Sequence, residues 1–295
     1  MDKGQRHLYL VYSVGVPGIG KSFVIHKLKD YSQSLPDVAV RVCTSDLARS
    51  TTLDVYYKAN NINLEDLTQE DIYQIEVLNG PVTRAAILAD IQVKIKELWE
   101  SGAQHNIFIM DKNHSANDVI STVNEASDLH FKDCPIHRCV LTPEIFESRP
   151  EEQKYYPFNF DILLIGLIRN LLRKEHMTMK YGPIHSLLSF IGSLQKQVKD
   201  SLQARFPLST NTYIPVHYYG SEAVEAGKHD PIKLAVYDQL QVLVDDLVNE
   251  KKTISSSADE VVKLVDQLAS MSQYAAIDED YVRDLHKRIT ESKTS

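Results

Sequence analysis

A chain of 295 residues with 43% hydrophobic and 24% charged residues can bury a large core, which argues against dominant disorder and leaves one α/β domain, or one domain with a small appendage. A net charge of −8 argues against a surface that coats nucleic acid non-specifically, while leaving room for a local basic pocket that holds one strand end. No apolar run approaches the roughly 18 residues that span a bilayer, the N-terminus enters a strand too soon for a signal peptide, and three cysteines without a C-x-x-C pair fit reduced thiols better than disulfides or zinc, so the expectation is an intracellular protein, cytoplasmic or nuclear, with no membrane partner.

In chain order, the first predicted element is a buried strand over residues 8–14. It runs into Gly15-Val16-Pro17-Gly18-Ile19-Gly20-Lys21-Ser22, which matches the phosphate-cradling pattern G-x-x-x-x-G-K-[ST] at every defined position. Residues 23–31, beginning at Phe23, continue with the helical spacing of Val24, Ile25 and Leu28. Glycines let backbone N–H groups turn inward around an anion, and the following helix adds its positive end. Lys21 is expected to reach the β/γ-phosphates of a nucleoside triphosphate, and the Ser22 hydroxyl to ligate Mg²⁺.

A second strand, residues 38–43, ends in Thr44-Ser45-Asp46-Leu47-Ala48-Arg49. Asp46 fits a general base for an attacking hydroxyl, with Arg49 pairing a substrate phosphate; it equally fits a cap on the next helix. Residues 50–80 read as a long excursion with a short helix near 69–78. Residues 81–100 follow as an amphipathic helix with a proline start and a glycine stop, where Val82, Ala85, Leu88, Ile91, Ile95 and Leu98 form the apolar stripe.

A third strand, 107–110, ends at Asp111, followed by Lys112-Asn113-His114. An Asp at such a strand tip orients Mg²⁺ or its waters in phosphate-loop enzymes; a plain turn is the other reading. Strands at 136–141 and 212–216 complete a parallel sheet with crossover helices. Residues 160–174 form a buried helix that delivers Arg169 and Arg173, with His176 one turn later. These three suit a cationic lid over a migrating phosphoryl group, or a solvated helix end. Residues 251–257 read as a linker, followed by short helices around 261–271 and 281–289. His114, His130 and His137 lack the spacing of metal ligands on one helix.

Taken in order, GVPGIGKS, TSDLARS, FIMDKNHSANDV and YPFNFDILLIGLIRNLLRKEHMTM resemble the central kinase module of plant-type tRNA ligases, with the fungal tRNA ligase kinase and phage polynucleotide 5′-kinase as more distant relatives. The resemblance covers roughly residues 8–248. It implies a P-loop phosphotransferase of α/β class, a parallel sheet flanked by helices, adenylate-kinase-like with a helical lid. Residues 1–250 would be that domain, its lid at about 145–182, and residues 251–295 a C-terminal helical extension. The implied activity is transfer of the γ-phosphate of ATP or GTP, with Mg²⁺, to the 5′-hydroxyl of an RNA end, as in tRNA splicing or RNA repair.

In that reading Lys21, Asp46 and Arg173 are catalytic. Gly15, Pro17, Gly18, Ile19, Gly20, Lys21, Ser22, Phe23, Arg169 and His176 bind the nucleotide, Arg49 and Asn113 bind the acceptor, and Ser22 and Asp111 hold the metal. Fungal members carry a longer loop before the histidine, associated with guanine recognition, where only Lys174 and Glu175 intervene here. The covalent lysine motif of a nucleotidyl transferase is not seen, and His176-Met177-Thr178 is the one H-x-T where a phosphodiesterase needs two. Ligase and phosphodiesterase modules would then be partners, in the same or another chain. A small-metabolite kinase on the same scaffold and a non-catalytic nucleotide-binding scaffold are the alternative readings.

Overall fold

The computed structural model describes residues 5–111, 117–143, 160–172, 202–218 and 275–292, together with Ala235. Its centre is a five-stranded, all-parallel sheet in the order β2-β3-β1-β4-β5, with β1 His7–Ser13, β2 Val38–Thr44, β3 His105–Asp111, β4 Ile136–Pro143 and β5 Thr212–Val216. The helices are α1 Lys21–Gln33, α2 Ser45–Ala59, α3 Gln69–Leu78, α4 Gly80–Glu100, α5 Asn117–His130, α6 Phe160–Leu172 and α7 Glu279–Thr290, with a 3₁₀ turn at Leu64–Asp66 and a helical turn at Leu202–Arg205. All five strands expected from the sequence are present.

Parallel strands buried on both faces read as continuous apolar runs, and β1 and β3 do. The alternation of side chains divides β1 between two layers. Leu8, Leu10, Tyr12 and Val14 share a core with Phe108 and Met110 of β3, Ile87, Ile91, Ile95 and Leu98 of α4, and Val119 and Val123 of α5. The opposite face is covered by α1 and α7, which pack on each other, α1 reaching β2 and β3 and α7 reaching β1.

The apolar stripe of α4 departs from expectation at its start. Ile91, Ile95 and Leu98 are buried as read from the spacing, but Val82 is 58% exposed and Ala85 is exposed, while Ile87 is buried. In these first turns Val82 and Ala86 line a trough shared with α2. The short helix in the excursion is present as α3, held by a reciprocal capping box between Thr68 and Asp71. Of the C-terminal extension, α7 lies on the sheet domain: Val282, Leu285 and Ile289 are buried, Ser32 Oγ and His286 Nδ1 are 2.8 Å apart, and the Tyr281 hydroxyl accepts from the His217 N–H at 2.9 Å. The helix expected at 261–271 lies outside the described residues. Among the described residues no helix is long and apolar enough to cross a membrane.

Candidate functional site

The strand order reverses at β1, because β2 and β3 lie on one side of it and β4 and β5 on the other. Open α/β sheets bind ligands in the crevice outside the carboxyl ends of strands at such a point. The segment that leaves β1 there is the glycine loop, residues 14–20. Gly15, Gly18 and Gly20 have φ of 146°, 80° and 116°, the region that favours glycine, so the loop's turns depend on these residue types. Gly20 is the N-cap of α1 and supplies no side-chain cap. The positive end of the α1 dipole therefore faces the loop without a side-chain cap.

Lys21 is 6% exposed, and its ammonium donates to the carbonyls of Gly15 at 2.9 Å and Val16 at 2.8 Å. Ser22, the next residue, donates its hydroxyl to the carboxylate of Asp111. Asp111 is only 8% exposed at the tip of β3. Burial pushes its carboxyl above the usual range, with the charge of Asp46 acting in the same direction, while the Ser22 hydroxyl, Lys21 and His26 pull it down. Phe23 is 42% exposed, its ring 5.2 Å from the Lys27 ammonium.

Asp46 lies in the first turn of α2, but the N-cap is Thr44, whose side chain accepts from the Leu47 N–H at 3.3 Å. The capping alternative thus falls to Thr44. Thr44 is paired in register with Asp111 across the sheet, which brings the two carboxylates to one edge. Arg49 is half-buried one turn further along α2 and makes no ion pair among the described residues.

Helix α6 braces the glycine loop from a distant part of the chain. A Cβ on Gly18 would come within 2.6 Å of the Gly166 carbonyl oxygen, and one on Gly166 within 2.7 Å of the Pro17 carbonyl oxygen. Asn170 Nδ2 donates to the Pro17 carbonyl at 3.1 Å. Arg169, expected in the cationic lid, is 3% exposed; its Nη1 donates to the carbonyls of Ile19 and, at 3.2 Å, Tyr218. Its visible work is on the loop's backbone, because a guanidinium buried at the turn of α6 nearest the loop meets carbonyls there. Arg173, His176, Asn113 and most of the lid segment lie outside the described residues.

Four residues of the site were not singled out from the sequence. Thr44 and His26, whose Nδ1 is 2.5 Å from the Ser22 carbonyl oxygen, carry no motif. Asn170 is an ordinary polar residue in an apolar run. Gly166 did carry a signal: a glycine inside a helix costs about 1 kcal/mol relative to alanine, so its presence marks close backbone approach. Among the described residues, no group of three or more His, Cys, Asp or Glu is arranged to hold a metal ion. No protein-family model matches the chain, and no curated protein matches it.

Proposed function

We propose that this chain is a P-loop polynucleotide kinase that transfers the γ-phosphate of ATP or GTP to the 5′-hydroxyl of an RNA end. The observation that carries the reading is the convergence of Lys21, Ser22, Asp111 and Asp46 at one sheet edge beside a helix start without a side-chain cap. The order of the four sequence motifs supplies the acceptor class, and the parallel sheet with its switch at β1 supports the fold half of the argument.

In this reading backbone N–H groups of the glycine loop and the first turn of α1 surround the β- and γ-phosphates; Pro17 has none to offer, and that of Ile19 is given to the Val16 carbonyl at 3.4 Å. The Lys21 ammonium exchanges the carbonyls of Gly15 and Val16 for phosphate oxygens. Ser22 and Asp111 suit a hard cation, since both offer oxygen and the buried carboxylate lacks enough positive charge of its own. One or two such side chains beside substrate phosphates are the usual donor set for Mg²⁺. They would hold Mg²⁺, which when bound neutralises charge on the phosphate oxygens. Asp46 takes the proton from the acceptor hydroxyl as its oxygen attacks the γ-phosphorus, the bond from that phosphorus to the bridging oxygen breaks and the nucleoside diphosphate leaves, and Arg49 pairs a phosphate of the acceptor strand. Arg169 and Asn170 act through the loop they brace. Arg173, the residue after the end of α6, and His176 would lie over the transferring group, and Asn113 would contact the acceptor.

The test is transfer of label from γ-labelled ATP and GTP, in parallel, to a short RNA bearing a 5′-hydroxyl, with the 5′-phosphorylated RNA as control. Label on the hydroxyl end alone is the expected result. No transfer from either donor, with the protein folded and Mg²⁺ present, would end the reading.

A further inference from the structure

Helices α2 and α4 leave a trough of about 540 Å³ between them. Its walls are one face of each helix, with Thr44, Leu47, Val55 and Tyr56 from α2 and its cap, and Val82 and Asp90 from α4. One end of the trough is Thr44, which is two residues from Asp46 and in register with Asp111. It therefore opens on the edge where the acceptor hydroxyl must lie.

The trough's chemistry is neutral. Leu47, Val55 and Val82 are 56%, 63% and 58% exposed, so apolar surface faces solvent along its length. Among the described residues no Lys or Arg lines it, and the one carboxylate among them, Asp90, is held by Lys94 at 2.6 Å. A sugar-phosphate backbone would find no cation inside. A flat uncharged ring would cover the exposed valines and lie against the half-exposed Tyr56. The volume falls within the roughly 300–1,000 Å³ of small-molecule sites.

We infer that this trough is the acceptor subsite and takes the nucleobase of the terminal nucleoside, leaving the strand's phosphates outside on the side of Arg49. The inference rests on the kinase reading for the identity of the acceptor, but the neutral subsite is carried by the trough itself. Stacking on apolar and aromatic walls is tolerant of base identity, so no sequence preference is expected at the first position.

The experiment compares steady-state transfer to a 5′-hydroxyl RNA and to the same strand with an abasic first residue, for the wild type, Ala86→Trp and Val82→Glu. Ala86, on α4 one turn after Val82, also lines the trough. It is half-buried and Val82 exposed, so both changes are compatible with folding, and triphosphate affinity checks this independently. The wild type is expected to show a KM for the abasic strand raised on the order of tenfold, from lost stacking. Ala86→Trp should raise KM for the intact strand to a similar degree, keep kcat and the donor KM within about twofold, and abolish the difference between the two strands, as for a shared contact. Val82→Glu, which places a negative charge on the rim, should also raise KM.

Equal KM for both strands in the wild type, unchanged by Ala86→Trp, would overturn the inference while leaving the kinase reading intact. If the wild type phosphorylates no strand, the kinase reading fails, and the trough is tested by NMR of the Leu47, Val55 and Val82 methyl groups during titration with free nucleosides. Shifts on nucleoside addition support a base subsite. Absence of shifts, or shifts only with an amphipathic helical peptide, would overturn it, the latter in favour of a protein-docking trough.

Discussion

Asp46 and Asp111 share one edge of the sheet but face different demands. Asp46 is in the first turn of α2, and a general base has to be ionised to work. Asp46→Ala should lower turnover by about 10²- to 10⁴-fold while leaving triphosphate affinity unchanged, because the base acts on the acceptor. Isothermal titration beside initial rates checks this, and wild-type turnover would reassign the base. Asp111 is the opposite case. Its folded-state pKa is raised by burial, so its contribution to stability is present below the unfolded value and lost as pH rises through the folded value. Where it is charged, the carboxylate therefore destabilises the ligand-free fold. Asp111→Asn should raise Tm without ligand and remove the further rise that Mg²⁺ with triphosphate produces in the wild type. Thermal melts with and without both ligands decide, and a lowered Tm without ligand would contradict the assignment. Lys21, Ser22 and both aspartates were legible as residue types in a spaced pattern, since a phosphate loop needs contiguous residues. His26 and Thr44 were not, because what they do depends on neighbours from other segments.

At the scale of elements, the pairing that matters is α6 against the glycine loop, joined across about 150 residues of chain by Gly18 with Gly166, Asn170 with Pro17, and Arg169 with Ile19. Backbones approach so closely that even one methyl group on α6 must displace the loop. Gly166→Ala should favour the helix intrinsically, since alanine is the better helix former, yet weaken triphosphate binding by on the order of tenfold, or about 1.4 kcal/mol. Affinity measured beside far-ultraviolet circular dichroism separates the two effects, and unchanged affinity would mean that the loop does not depend on α6. On α4, Ile95→Ala should cost about 2–5 kcal/mol, since the side chain is fully buried between helix and sheet. Val82→Ala, on the same helix but at the trough, should cost far less. Denaturant titration of the two variants checks that contrast. The spacing of apolar residues announced α4 but could not say that its first turns face another helix, because periodicity identifies a face and not what the face meets.

For the whole molecule, the sheet has a second edge of different character. At the amino ends of three adjacent strands His7, Tyr9, His105 and His137 stack, with Tyr9 and His137 centroids 4.7 Å apart and His7 Nδ1 3.1 Å from His137 Nε2. Burial first, and then the charge of His7, holds His105 and His137 below the usual histidine range; Asp37 opposes this at His105 and the Ser292 backbone at His137. Burial also lowers His286 on α7, with His105 acting in the same direction. For a histidine with a depressed folded-state pKa, stability is present above the unfolded value of about 6.5 and lost as pH falls through the folded value. Tm should therefore fall as pH is lowered from 7.5 toward 5, and His137→Asn should flatten the fall. An unchanged slope in that variant would remove this edge as the cause.

The parallel α/β class, the five strands, the amphipathic α4 and the candidate phosphate loop were all set by the sequence itself. Each rests on residues close together in the chain, where the two-residue and 3.6-residue periods and the need for glycine act locally. Only the tertiary structure decided that Arg169 donates to the Ile19 carbonyl, that Thr44 and not Asp46 caps α2, that α7 covers the sheet beside α1, and that a trough opens beside Asp46. Those facts depend on which distant segments meet, and a pattern read along one strand or helix carries no record of the surface that will be packed against it.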